Sequence, residues 1–96
     1  MKTFNDLQIG DFIYEITKYS KTVKIGQIRE ISASAKFDWI NYVKFSLDTI
    51  IGNDLPPFIF LPKSFIDDYN FENSVVIIFV NESDFLKYLS AINENI

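Results

Sequence analysis

Ninety-six residues, 46 of them apolar and 16 aromatic, with a net charge of −4, are enough for one hydrophobic core, because a second would need roughly another hundred residues. The chain has no histidine, no cysteine and a single arginine, Arg29. This excludes Cys-His and Ser-His-Asp nucleophiles, thiolate or imidazole metal sites, disulfides and any cluster of guanidinium forks for phosphate.

The opening residues carry Lys2, Asp6 and Asp11 and no apolar run, so no signal peptide is expected. Residues 11–18 alternate Phe12, Tyr14 and Ile16 with mostly polar neighbours, predicting a strand with one buried face. Tyr19 to Thr22 interrupt the pattern. A second strand, 22–32, carries Val23, Ile25, Ile28 and Ile31 and changes parity after Gly26, which predicts a β-bulge there. Ser32 to Lys36 are small and polar and read as a second turn. In the third strand, 37–49, Phe37, Trp39, Val43, Phe45 and Leu47 share one face, Asn41 breaks the row, and Asp38, Lys44, Ser46 and Asp48 face water.

Gly52-Asn53-Asp54 and Pro56-Pro57 mark a loop, and residues 57–61 form a short edge strand bounded by prolines. Pro62 opens a helical turn over 62–68. The strand 74–80 is apolar on both faces and therefore central or doubly covered. Its run Val75 to Val80 is the longest apolar run and far too short to span a membrane as a helix. Asn81 and Asp84 open a terminal helix over 82–94, with Phe85, Leu89, Ile92 and Ile96 as its apolar stripe.

Two stretches carry a resemblance. Phe4-Asn5-Asp6-Leu7-Gln8-Ile9-Gly10-Asp11-Phe12-Ile13-Tyr14 resembles the hydrophobic-Gly-Asp-x-hydrophobic-Tyr/Val entry into the first strand of SH3-like small barrels. Leu61-Pro62-Lys63-Ser64-Phe65-Ile66 is similar to the turn before their last strand. The resemblance implies a single α+β domain, mainly β: a five-stranded antiparallel SH3-like barrel or bent sheet with a C-terminal helix. The paired tryptophans and acidic loop of the SH3 peptide groove are not recognisable around Trp39, so no proline-peptide function is carried over.

Aromatic residues in excess of what so small a core needs point to an interface. The expected contact residues are Leu55, Phe58, Phe60, Tyr69 and Phe71. The expected function is a noncatalytic protein-binding module, self-assembling or an accessory subunit or inhibitor in a larger complex. No enzyme activity, no cofactor, no membrane and a cytoplasmic location are expected. Residues 1–47 carry a charge of +2 and 48–96 one of −6, so the C-terminal half is expected to steer basic surfaces of a partner. Phe, Ile, Tyr, Asn and Lys make up 46 residues, the codon bias of an A/T-rich bacterial, phage or mobile-element genome.

The alternative is a weak single-strand nucleic-acid binder, in which Lys18, Tyr19, Lys21 and Lys24 join an aromatic platform of Tyr14, Trp39 and Tyr42. Against it, Tyr14 and Trp39 read as core residues, and the acidic net charge opposes phosphate. Asp48, Asp54, Asp67 and Asp68 lack the spacing of an EF-hand, and no metal site is expected.

Overall fold

A computed structural model describes residues 1–52 and 58–94, with side chains for all of these except 33–35 and 94. Six strands are present among the described residues: β1 (Phe12–Thr17), β2 (Val23–Phe37), β3 (Ile40–Ile51), β4 (Phe58–Pro62), β5 (Asn70–Glu72) and β6 (Val76–Phe79). A 3-10 turn at Phe4–Asp6 precedes β1, a second at Lys63–Phe65 follows β4, and the helix α1 (Glu82–Glu94) ends the described chain. The strands form one antiparallel sheet in the order β4-β3-β2-β1-β6-β5. It curls into a half-barrel, mainly β, with the helix on its outer face.

The inside of the curl holds Phe4, Leu7, Ile13, Ile28, Phe45, Leu47, Leu61, Ile78 and Val80. Burying each of these side chains contributes about 1.5–3 kcal/mol. The N-terminal turn closes this side: the Phe4 amide donates to the Asp68 carbonyl at 3.1 Å and the Asn5 amide to that of Ile66 at 2.7 Å. The turn itself is held by Asp6, whose carboxylate accepts from the Thr3 amide at 2.9 Å. On the outer face, α1 lays Phe85, Tyr88, Leu89 and Ile92 over Tyr14, Ile16, Ile77 and Phe79. Ile77 and Phe79 face one side of β6 while Ile78 faces the other, so this apolar strand is covered twice.

Three features differ from the sequence reading. There are six strands rather than five, because Asn70–Glu72 pairs with β6, and three residues are too few to display alternation. The second hairpin turns at Asp38-Trp39 and not at 32–36. Small Ser and Ala side chains suggested a turn, but pairing against the long β3 overrides their low β propensity, and a register shift between Ala33 and Lys36 absorbs the mismatch. In β1, Ile13 and Glu15 are buried as well as Tyr14 and Ile16, whereas Phe12 is exposed. The strand is covered on both faces, because Ile13 packs in the inner core while Tyr14 and Ile16 lie under the helix. The irregularity expected at Gly26 is present, as a register shift between Ile25 and Gly26.

β6 begins at Val76 because the Asn73 side-chain oxygen accepts from the amides of both Val75 and Val76, each at 2.8 Å. An Asx turn of this kind ties up the backbone that would otherwise extend the strand.

Candidate protein-binding surface

β4 pairs with β3 along one edge, with Lys44 opposite Phe60 and Ser46 opposite Phe58. Its other edge pairs with no strand among the described residues. Alternate residues of such an edge strand turn their amides and carbonyls away from the sheet. Side chains alternate too: Ile59 and Leu61 enter the core, which sends Phe58 and Phe60 outward. The two rings stand edge to face at 5.1 Å and remain 39% and 44% exposed. Lys44 lies on the outward face, as expected, and lays its ammonium over both rings, 5.0 Å from Phe58 and 6.0 Å from Phe60. This cation–π arrangement covers part of the apolar surface with a charge. Ser46, expected to face water beside it, is instead buried between its neighbours on the sheet.

The same face continues onto β2. Glu30 lies opposite Ser46 and Ser32 opposite Lys44, so Glu30 and Lys44 are diagonal neighbours. Neither makes an ion pair among the described residues. The helix covers the β1 and β6 part of the outer face and leaves this part open.

The other expected contact residues fall elsewhere. Tyr69 is exposed before β5, at the far end of the strand order. Phe71 is half-buried, packs on the inner core and meets Phe65 edge to face at 5.1 Å. Leu55 lies outside the described residues, as does Asp54. The structure thus brings Phe58 and Phe60 together and separates them from Tyr69 and Phe71.

Lys18, Tyr19, Lys21 and Lys24 lie together on the β1–β2 hairpin. Lys18 pairs with Glu72 of β5, and Lys24 lies opposite the buried Glu15. Tyr19 and Lys21 stay exposed at the tip. Tyr14 is in the core, as read from the sequence, with its hydroxyl donating to Glu82 at 3.2 Å and its ring stacked on Phe85 at 4.9 Å. Burial, reinforced by Glu82, pushes that phenol above its usual range. Trp39 is not in the core: it is 90% exposed, at the opposite end of the 15-residue β2 from the lysine hairpin. A single platform joining Tyr19 to Trp39 is therefore not formed.

Asp48 pairs with Arg29 at 3.9 Å, and among the described residues no group of three or more carboxylates is placed to hold a metal ion. No described helix is long and apolar enough to cross a membrane. Glu15 is the one buried carboxyl of the described sheet, 7% exposed. Burial pushes its pKa up, and the facing Lys24 offsets this only in part.

The surface that sequence reasoning missed is the tip of the β2–β3 hairpin, where Phe37, Trp39 and Ile40 are all exposed. The break in the apolar row at Asn41 was the available signal: it marks a strand beginning after Trp39, not passing through it. No protein-family model matches the chain, and no curated protein or solved structure matches it either.

Proposed function

We propose that this chain is a noncatalytic protein-binding module that assembles with a second copy of itself through the β4 edge and the outer face of β3 and β4. The observation that carries this reading is the pair Phe58 and Phe60. They stand together on an edge strand, on the part of the sheet that α1 leaves bare. An open edge is a template for another strand, and exposed aromatic pairs are the residues that interfaces bury.

Charge favours a second copy as the occupant. A two-fold contact is self-complementary, and this face carries both Lys44 and, diagonal to it, Glu30. Each copy then supplies the partner of the other's charge. The four-strand meander β1 to β4, a 3-10 turn, and β6 returning beside β1 support kinship with SH3-like barrels. A cytoplasmic location fits the same reading.

Hydrogen–deuterium exchange at rising protein concentration tests the proposal. Exchange is expected to slow at the amides of residues 58–61 as copies pair, with no change along the β5 edge. Exchange at 58–61 that is independent of concentration would contradict it.

A further inference from the structure

The β2–β3 hairpin closes with Phe37 paired to Ile40, leaving a two-residue loop of Asp38 and Trp39. Both loop residues have positive φ, 48° and 67°, as the tight turn favoured by the twist of antiparallel strands requires. Asp tolerates that conformation and Gly is the ordinary choice for the second position. A tryptophan there is a strained backbone outlier.

Packing does not repay that strain, since the Trp39 ring is almost fully exposed and is approached chiefly by the Lys36 ammonium, 5.6 Å from its centre. Beside it lies a hollow of about 440 Å³ lined by Trp39, Ile40, Asn41, Pro62, Lys63, Ser64 and Phe65. Its walls come from two elements, the hairpin tip and the 3-10 turn after β4.

We propose that this hollow is the docking site for an acidic, extended segment of another protein, whose large apolar side chain enters between Trp39 and Phe65 while its carboxylates meet Lys36 and Lys63. Charge identifies the partner. Lys36, Lys44 and Lys63 have no carboxylate within 4.0 Å among the described residues, although the chain as a whole carries −4. Lys36 and Lys63 thus stand at the hollow without an ion pair, with Asp38 the carboxylate of the tip itself; Lys21 and Lys87, which likewise make none among the described residues, lie on the β1–β2 hairpin and on α1. The hollow has the size of one or two side chains, which suits a peptide anchor. A lipid surface would leave the hollow unused, and the dense phosphate charge of a nucleic-acid strand meets more repulsion from a chain of net −4 than a short peptide with a few carboxylates does. The site is separate from the β4 pairing and stands or falls without it.

Trp39 is the only tryptophan, so its fluorescence reads the site directly. The probe is a synthetic peptide of Glu and Asp residues around a central Phe and Leu. The acidic peptide is expected to shift the emission to the blue in a saturable titration. Binding is expected to weaken about tenfold or more in the double variant Lys36→Glu/Lys63→Glu, whose circular dichroism should match the parent because both side chains are exposed. The double variant Phe58→Ser/Phe60→Ser is expected to bind the peptide as the parent does while losing self-association, which separates the two proposals. No shift with the acidic peptide would overturn the assignment. So would an equal response to the same peptide with Lys at the acidic positions, or a response only to phosphatidylserine vesicles or oligothymidine.

Discussion

One sheet face carries two aromatic regions with opposite fates. On β1 and β6, Tyr14 and Phe79 are sealed under α1, with Phe85 4.9 Å from Tyr14 and 6.3 Å from Phe79. On β4, Phe58 and Phe60 have the same outward direction and meet edge to face, but no element of the described chain lies over them. The strands are alike in composition. The difference arises from α1, which is joined to the end of β6 by only two residues, Val80 and Asn81, and so packs back onto it, leaving the other half of the sheet to water, lysine stems or another chain.

The largest expected effect lies on the covered side. Phe85→Ala removes a ring that is 4% exposed, and such truncations cost about 3–5 kcal/mol; urea unfolding should show this loss. Phe60→Ser on the open side should cost the monomer only about 1 kcal/mol, through loss of its contacts with Phe58 and Lys44. Equal losses at the two positions would mean that the comparison is wrong and that β4 is structurally sealed.

Glu15 gives a smaller effect with a defined sign. Its pKa is raised in the folded protein, because burial disfavours the charged form more than Lys24 favours it. Ionisation therefore opposes folding above the folded pKa, and the penalty fades as pH falls toward the ordinary carboxylate range, where both states are protonated. Glu15→Gln is expected to raise the melting temperature at pH 7 and to leave it unchanged near pH 3. A lower melting temperature at pH 7 would show that the Lys24 pairing outweighs burial. The smallest effect belongs to the surface pair Lys18 and Glu72: Lys18→Ala should change stability by less than about 1 kcal/mol, and less still in high salt.

Much of the fold is legible in the chain because strong patterns decide it. Val76 to Phe79 is apolar on both faces, and that predicts a doubly covered strand whatever the topology. The stripe Phe85, Leu89 and Ile92 does the same for α1. Failures occur where tertiary pairing outweighs local composition. Ser32 to Lys36 has the residues of a turn, yet its backbone is held by the facing β3, so the turn moves to Asp38 and Trp39. Asn70 to Glu72 becomes a strand because β6 offers an edge. Of the expected contact surface, Phe58 and Phe60 were readable from the proline-bounded strand. The inward packing of Phe71 was not, because three residues carry no period. Trp39 was misplaced for a related reason: hydrophobicity predicts burial, and a hairpin tip is defined by register instead.

The central claim is that the bare aromatic half of the sheet is an interface between copies of this chain. Light scattering on a size-exclusion column, across a wide concentration range, measures it most directly. The wild-type chain of 11.2 kDa should move from monomer toward a dimer as concentration rises, while Phe58→Ser/Phe60→Ser stays folded and monomeric throughout. A wild-type chain that remains monomeric at the highest concentration, or a double variant that still dimerises, would contradict the account.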